Sequence, residues 1–382
     1  MNDEQANDEV TKSAEQAPEA ASSEPSQSQK TETRPTPPEL PKPSETGEPQ
    51  PISETSEPYP TEQAEPEAEE APEPADAPVE ATTQPAMLPP PVRGFEGQLD
   101  PRRHAFRPDL AADNLRGIVE AERFTAGNWA QVIIPCAQIR NKPGLDAPVD
   151  TEALFGEVLV VYDIVEGWAW VQILRDGYVG YTSVDAISAD VEWPTHRVKS
   201  LGTFVYPEPD IKKPPLAHLS LNSALRIAER VDDFYKLTSG GYVHMRHVAP
   251  EENFARDFVD VAERFLGTPY LWGGRSRLGI DCSGLVQVSM EAAGFTAPRD
   301  SDMQRAEVGD DVLIREDYEG LQRGDLVFWP GHVGIMVDGL MLLHANAHHM
   351  AVTLETLPEA IERIARNGSR PTAIKRVERA SV

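Results

Sequence analysis

Asp281-Cys282-Ser283-Gly284-Leu285-Val286 places one of the chain's two cysteines where a helix is predicted to begin. Behind the cysteine, Leu285, Val288 and Ala292 follow at helical spacing, and Gly294 can end the helix. The free N–H groups and partial positive charge of a helix N-terminus favour a thiolate and can stabilise an oxyanion. This stretch therefore predicts a nucleophilic cysteine at the start of a helix.

Two histidines follow the cysteine in strand-like surroundings, His332 in Gly331-His332-Val333-Gly334-Ile335 and His344 in Leu342-Leu343-His344-Ala345. A cysteine nucleophile needs a base that holds its proton and a third polar group that fixes the tautomer of that base. The three residues therefore predict an enzyme with Cys282 as the nucleophile, His332 as the base and His344 as its orienter. A cysteine peptidase is the simplest enzyme of this kind.

Whether the two histidines can meet depends on the turn between their strands. A two-residue Asp338-Gly339 loop would leave them on opposite faces of the hairpin. A three-residue loop, Val337-Asp338-Gly339 with Gly339 left-handed, would place His332 directly opposite His344 and within hydrogen-bonding reach. The hypothesis of a histidine pair therefore requires the three-residue loop.

A zinc site built from His344, His348 and His349 is the alternative interpretation of the histidines. The chain lacks a helical His-Glu-x-x-His pattern and a clear carboxylate partner for such a site. Trp272-Gly273-Gly274 does not stand between a strand and a helix as a phosphate-binding loop would. We therefore expect no metal and no cofactor.

The C-terminal third, residues 251–382, combines helices with a later run of strands. Phe254, Phe258, Val261 and Phe265 lie on one face of a predicted helix that Gly267 can end. After the Cys282 helix, strands are predicted at 325–329, 332–337 and 340–344. This order indicates an α+β domain.

Short strands also dominate the middle of the chain. Runs of four to six β-branched and aromatic residues, separated by turn signals, begin near residue 128 and recur more weakly after residue 190. Each set occupies about 60 residues, the length of one small barrel. We predict two tandem barrels, residues 128–190 and 191–250.

The beginning of the chain differs sharply in composition. Of the formal net charge of −28, residues 1–90 contribute about −17, from 21 acidic and four basic residues, and they include a single aromatic, Tyr59. A segment so poor in apolar groups cannot offset the entropy of ordering its backbone. We predict a disordered, acidic, Pro-rich tail at 1–92 and a linker at 93–127. The acidic balance also argues against a nucleic-acid partner.

Two further features bear on location. The first residues, Met1-Asn2-Asp3-Glu4-Gln5, show neither the basic start nor the apolar run of a secretory signal, and no window approaches a membrane span. Two cysteines, Cys136 and Cys282, do not suggest a disulfide framework. We expect a cytoplasmic protein that is a monomer and has no membrane partner.

With these residues in place, the C-terminal domain resembles the NlpC family of papain-like bacterial cell-wall peptidases. The resemblance covers about 110 residues in the order of the family's motifs, and the upstream barrels are similar to bacterial SH3-like domains. The matching motifs are Gly267-Thr-Pro-Tyr-Leu-Trp-Gly-Gly274, Asp281-Cys-Ser-Gly-Leu-Val286, Pro298-Arg-Asp300, Gly324-Asp-Leu-Val-Phe328, Gly331-His-Val-Gly-Ile335 and His344-Ala345. The family's Cys-His-His set maps onto Cys282, His332 and His344.

Barrels before an NlpC domain resemble, in particular, the γ-D-glutamyl–diamino acid endopeptidases that trim peptidoglycan stem peptides. In those relatives a barrel closes part of the cleft, so that short peptides with a free N-terminal L-Ala enter. The resemblance implies a set of residues that hold the amino end of the substrate: Asp281, Ser283, Ser301 and, from the barrel, Glu152 and Tyr178. Asp281 has a second interpretation as the cap of the Cys282 helix.

The expected function is hydrolysis of the γ-D-Glu–diamino acid bond in recycled peptidoglycan peptides. Three alternatives stay open at this point. They are an exported hydrolase that acts on intact wall, a binding module that holds wall fragments, and an acyltransferase or amidase on the same fold. A complete Cys282, His332 and His344 set argues against a pure binding module.

Overall fold

The computed structural model describes residues 99–313, 315 and 318–377, and the predicted tail at 1–92 lies outside this part of the chain. The first described segment forms β1 (Leu110–Ala112) and β2 (Arg123–Thr125), a parallel pair. Leu99 and Leu115 are buried and pack against Tyr162 and Trp170 of the domain that follows. From Leu99 onward, the segment predicted as a linker is therefore folded against its neighbour. Its buried residues are irregularly spaced, so no helix or strand period reveals them in the sequence.

The first β-domain is one antiparallel sheet of seven strands, which pair in the order β5-β4-β8-β7-β6-β3-β9. Its strands are β3 (Asn128–Val132), β4 (Cys136–Arg140), β5 (Val149–Leu154), β6 (Val158–Val165), β7 (Trp168–Ile173), β8 (Val179–Ser183) and β9 (Ile187–Ser188). Alternate residues such as Leu159, Val171 and Ile173 share one apolar core, as expected of strands with one buried face.

The second β-domain is built from three small antiparallel sheets, β13-β10-β17, β11-β12 and β14-β15-β16. Its strands are β10 (His196–Val198), β11 (Gly202–Val205), β12 (Ala217–Ser220), β13 (Ala224–Leu225), β14 (Ile227–Val231), β15 (Phe234–Leu237), β16 (Tyr242–His244) and β17 (Val248–Pro250). Val198, Leu219 and Val243 meet in a single core. Assignment of this domain to the SH3-like class stays a prediction. In the described part of the chain, 3-10 helices lie at Asp113–Leu115, Val184–Ala186 and Met245–His247.

The C-terminal domain packs helices against a six-stranded antiparallel sheet of order β20-β25-β21-β22-β23-β24. Its elements are α1 (Phe258–Glu263), β18 (Arg275–Ser276), β19 (Gly279–Ile280), α2 (Cys282–Ala292), α3 (Ser301–Glu307), β20 (Asp310–Asp311), β21 (Asp325–Trp329), β22 (His332–Met336), β23 (Met341–Asn346), β24 (Ala351–Thr356), α4 (Leu357–Ala365) and β25 (Ala373–Arg376). Leu285 and Val288 of α2 share a buried core with Val333 and Leu343 of the sheet. The nucleophile helix thus lies against the two strands that carry the histidines.

The turn between β22 and β23 differs from the expected one. Ile335 pairs with Leu343 and Met336 with Leu342, a register two positions from the predicted one, so His332 and His344 lie diagonally on the same face. The loop is Asp338-Gly339-Leu340, and the Asp338 carboxylate accepts the N–H groups of Leu340 and Met341, each at 2.7 Å. An aspartate side chain therefore closes this turn, where the sequence analysis expected a left-handed glycine.

Candidate active site

Cys282 is the first residue of α2, and Asp281 caps that helix. The Asp281 carboxylate accepts the N–H groups of Gly284 at 2.7 Å and Gly273 at 2.9 Å. It also receives both arms of the Arg299 guanidinium, at 2.7 and 2.9 Å. Its capping role is therefore realised, and its charge is already paired with a buried cation.

The surroundings of the Cys282 thiol favour its neutral form. The residue is 7% exposed, and burial, followed by the nearby Asp281 carboxylate, raises the pKa of the thiol to about 12. Backbone N–H groups of Val333 and Ser283 and the charge of Arg299 act in the opposite direction. The helix terminus therefore does not produce a resting thiolate, and the proton must leave when the sulfur attacks.

His332 is placed beside the nucleophile by the strand that carries it. The backbone of Val333, the next residue, hydrogen-bonds the Cys282 sulfur. Burial, followed by the charges of His344 and Arg363, lowers the pKa of His332 to about 3. A neutral imidazole next to a neutral thiol is the state in which His332 can accept the proton.

The two histidines are joined as the sequence analysis required. His332 Nε2 lies 2.9 Å from His344 Nδ1. His344 is fully buried, and its other nitrogen, Nε2, lies 2.6 Å from Glu355 Oε1. Arg363 of α4 donates a hydrogen bond to the same Glu355 oxygen. The site is therefore a chain of four linked side chains behind the thiol.

A cavity of about 310 Å³ opens beside Cys282, and both the first β-domain and the C-terminal domain line it. Its lining residues are Arg102, Asp150, Tyr178, Tyr270, Trp272, Asp281, Cys282, Ser283, Asp300, Ser301, Asp302 and Gly331. Four of the five residues named for the substrate's amino end are in this set: Asp281, Ser283, Ser301 and Tyr178. Their positions bring them together with the nucleophile.

Glu152 does not line the cavity. It is buried, its carboxylate accepts the N–H of Arg275 at 2.9 Å, and its carbonyl accepts the Arg275 guanidinium at 3.0 Å. The acidic residue that β5 sends into the cavity is Asp150. Val149 and Thr151 pair with Arg140 and Ile139, and Asp150 between them is the extra residue of a β-bulge. A bulge redirects a side chain, and it leaves little trace in the sequence.

The carboxylates of the cavity differ in how well they are paired. Asp300 accepts the Arg102 guanidinium at 2.8 Å and the Tyr178 hydroxyl at 3.2 Å. Among the described residues, the hydrogen-bond partner of the Asp150 carboxylate is the Asn141 amide, at 3.5 Å. Burial, the main cause, raises the pKa of both Asp150 and Asp300 above the ordinary range. Asp150 is therefore better suited than Asp281 to receive a cationic group of a ligand.

Sequence reasoning missed Glu355, Arg363, Asp150 and Arg102. Glu355 lies diagonally from His344 across β23 and β24, where His344 pairs with Thr353. The alternation of Ala351-Val352-Thr353-Leu354-Glu355-Thr356 could have indicated that strand. Arg102 precedes every recognisable motif, and no sequence signal identified it.

His344 uses both ring nitrogens within this chain of side chains, so neither is available for zinc. In the described part of the chain, no three His, Cys, Asp or Glu residues are grouped to hold a metal ion. The helices among the same residues include none that is long and apolar enough to span a membrane.

Comparison with known proteins identifies two domain families that match parts of this chain. Residues 267–364 match the NlpC/P60 family, and residues 139–187 match the bacterial dipeptidyl-peptidase SH3 domain. The crystal structure of an NlpC/P60 family protein from Bacillus cereus ATCC 10987 superposes with a TM-score of 0.55 at 20% identity. That superposition covers 65% of this chain and 99% of the other, which supports the fold of both domains together.

Two curated relatives align along most of their length. Dipeptidyl-peptidase 6 of Lysinibacillus sphaericus is 28% identical over 254 residues, 60% of this chain and 92% of the relative. A γ-D-glutamyl-L-lysine dipeptidyl-peptidase of Bacillus subtilis strain 168 is 27% identical over 244 residues, 56% of this chain and 78% of the relative. With Cys282 at the cavity and the linked pair His332 and His344 behind it, the chain carries an NlpC/P60 domain that follows a bacterial SH3 domain and is a cysteine peptidase.

Proposed function

We propose that this chain hydrolyses the γ-D-Glu–diamino acid bond of peptidoglycan stem peptides that carry a free N-terminal L-Ala. The observation that carries the proposal is the cavity, because the SH3 domain contributes Asp150 and Tyr178 to the same lining as the Cys282 nucleophile. A cleft lined by two domains can accommodate the end of a short peptide more readily than a continuous polymer. The relative from Bacillus subtilis strain 168 is named a γ-D-glutamyl-L-lysine dipeptidyl-peptidase, which supports this substrate class.

The reaction uses side chains that are already in place. The Cys282 sulfur attacks the carbonyl carbon of the scissile amide while His332 takes the thiol proton. The first N–H groups of α2 stabilise the oxyanion, and His332 then gives its proton to the departing amine of the diamino acid. Water, deprotonated by His332, hydrolyses the resulting thioester and restores the free enzyme.

Recognition of the amino end follows from the charges in the cavity. An ammonium group of L-Ala, two residues before the scissile bond, can pair with a carboxylate such as Asp150 and donate hydrogen bonds to the hydroxyl oxygens of Tyr178 and Ser301. Trp272 is 68% exposed at the rim and offers an apolar surface to the peptide. N-acetylation removes the ammonium charge and leaves the carboxylate without a partner.

The test compares L-Ala-γ-D-Glu-diaminopimelate, its N-acetyl form and intact sacculi as substrates of the full chain. We expect the free tripeptide to be cleaved about ten- to a hundredfold more efficiently than the acetylated one, because loss of a charge-assisted hydrogen bond costs about 1.5–3 kcal/mol. Asp150→Asn should narrow this preference, whereas Asp146→Asn, on the exposed loop before β5, is the matched control. Equal rates on both tripeptides would exclude recognition of a free amino end and favour general wall hydrolysis.

The role in recycling and the cytoplasmic location belong to the same proposal. A free N-terminal L-Ala arises after the stem peptide has been released from its sugar, so the preferred substrate would be a soluble fragment. Cell fractionation tests the location directly, because recovery of the protein outside the cell would favour the exported wall hydrolase.

A further inference from the structure

Glu355 stands at the far end of the chain of side chains behind the thiol. Its Oε1 is 2.6 Å from His344 Nε2, and His344 Nδ1 is 2.9 Å from His332 Nε2. Glu355 comes from β24 and is held by Arg363 of α4, so two elements outside the histidine hairpin fix its position. Its side chain is 14% exposed, which limits competition from water.

These contacts determine which ring nitrogens carry protons. An ionised carboxylate can only accept a hydrogen bond, so His344 must carry its proton on Nε2. A neutral His344 then presents an unprotonated Nδ1, which can only accept, so His332 must carry its proton on Nε2. The remaining nitrogen of His332, Nδ1, is left with a free lone pair.

We propose that Glu355 is a positioning residue that sets the tautomer of both histidines and so makes His332 Nδ1 the base for Cys282. This inference rests on the proposed peptidase reaction only for its kinetic consequence. If the direction of these hydrogen bonds were reversed, His344 would carry its proton on Nδ1 and His332 would carry its proton on Nδ1 as well. His332 Nδ1 could then not act as a base. Glu355 therefore acts on the reaction through two other side chains.

The charges around the chain support the assignment. Hydrogen bonds from His344 and Arg363 outweigh burial and lower the pKa of Glu355 to about 2, so the carboxylate stays ionised at neutral pH. The groups that act on His332 are His344, Arg363 and Glu355, and those that act on His344 are Glu355, Arg363 and His349. Burial is the largest influence on both imidazoles and lowers the pKa of each, which keeps them neutral.

The first test reads the tautomers directly and does not depend on turnover. In protein labelled with 15N-histidine, the imidazole nitrogen shifts separate protonated from unprotonated nitrogens, and His332→Gln and His344→Gln identify the two rings. We expect His332 and His344 both protonated on Nε2 in the native chain. In Glu355→Leu, His344 loses its acceptor and the Nδ1-protonated form should appear in both rings. A native His332 that carries its proton on Nδ1, or unchanged shifts in Glu355→Leu, would overturn the proposal.

The second test separates tautomer control from charge and from simple destabilisation. Glu355→Leu should lower kcat by about 10²–10⁴-fold with little change in KM, comparable to loss of the orienter in a hydrolase triad. Glu355→Gln keeps an oxygen acceptor and should stay within about tenfold of the native kcat. Combining Glu355→Leu with Arg363→Leu avoids an unpaired guanidinium if the single variant folds poorly.

Thr356→Ala is the matched control, because it weakens the start of α4 one residue away without touching a histidine. It should leave kcat unchanged. Equal losses in the Gln and Leu variants, or a comparable loss in Thr356→Ala, would show that Glu355 serves through charge or packing instead. If the native protein shows the expected histidine tautomers but does not cleave the tripeptide, the proposed substrate is refuted and the role of Glu355 is not.

Discussion

At the level of single residues, the site combines a thiol and an imidazole that are both neutral at rest. Burial is the main cause in each case, since it disfavours the charged form of either group. The thiolate is therefore formed during the attack, in the presence of substrate. A substrate that fills the cavity excludes water from it. The hydrogen bonds from the N–H groups at the start of α2 to the developing oxyanion then become stronger.

We predict that Cys282→Ser and His332→Ala each lower kcat/KM by a factor on the order of 10⁴ or more. A hydroxyl is a far weaker nucleophile than a thiol at neutral pH, and loss of the base removes the acceptor for its proton. His344→Ala should retain more activity, because His344 acts on the base and not on the substrate. Steady-state kinetics with the free tripeptide measures these losses, and circular dichroism checks that each variant is folded. Native-like rates in Cys282→Ser would contradict the assignment of the nucleophile.

His332 should also make stability depend on pH. Its pKa is about 3 in the folded chain and about 6.5 in the unfolded chain, so between these values only the unfolded state binds the proton. The contribution of the neutral imidazole is therefore complete above pH 6.5 and is lost as the pH falls towards 3, with a slope of up to about 1.4 kcal/mol per pH unit. Urea unfolding of the native chain and of His332→Gln between pH 4 and 7 measures the difference, and identical slopes would contradict it.

The catalytic residues that could be identified from the sequence are those that stand in a recognisable local motif. Cys282 follows a capping aspartate, and His332 and His344 stand in short apolar strands. Asp150 and Glu355 were not identified from the sequence. The direction of the Asp150 side chain depends on a β-bulge and that of Glu355 on a strand register, and a single sequence specifies neither. Glu152 was chosen by residue type, and its carboxylate is instead used at the contact with Arg275.

At the level of elements, the segment before β1 joins the SH3 domain to α3. The guanidinium of Arg102 donates hydrogen bonds to the carboxylates of Asp100, Asp300 and Asp302 at 2.7–2.8 Å. Asp300 and Asp302 flank Ser301 at the start of α3, and all three line the cavity. The segment thus fixes one wall of the cleft from outside the C-terminal domain.

We predict that Arg102→Gln lowers kcat/KM by about tenfold, chiefly through KM, because the carboxylates of this wall lose the cation that holds them. The melting temperature should change little, since partly exposed ion pairs contribute weakly to stability. Arg103→Gln is the control: Arg103 pairs with Glu307 at the other end of α3, away from the cavity. An equal effect of both substitutions on KM would show that the whole segment, and not Arg102, determines the wall.

In the C-terminal domain, α2 and the strands β21, β22 and β23 were predicted from their apolar patterns, whereas α3, β24, α4 and β25 were not. The predicted β22–β23 register was wrong, since the side chain of Asp338 closes that turn and moves the loop by one residue. The two histidines meet in either register because a shift of two positions keeps them on one face. The pairing was thus predictable although its register was not.

At the level of the whole molecule, buried charges bind the SH3 domain to the nucleophile helix. Arg275 is fully buried and contacts Glu152 and Glu157 of the SH3 domain and Glu291 of α2. Arg299, 1% exposed, joins Asp281 to Thr151. Separation of the two domains would remove the partners of these guanidinium groups that lie in the SH3 domain, which is costly for a buried charge.

We therefore predict that the SH3 and NlpC/P60 domains unfold together in one transition. Arg275→Met removes a buried cation and leaves Glu157 and Glu291 with Arg175 as a shared partner, so it should lower the free energy of unfolding by up to about 3–5 kcal/mol. Lys236→Met, at an exposed pair with Glu229 on the second β-domain, is the control and should have little effect. Scanning calorimetry makes the measurement, and tryptophan fluorescence is followed in parallel. Two separate transitions in the native protein would contradict this prediction. They would mean that the cavity wall with Asp150 and Tyr178 can separate from the Cys282 nucleophile. The rate of cleavage of N-acetylated peptides should then rise with temperature before the second transition.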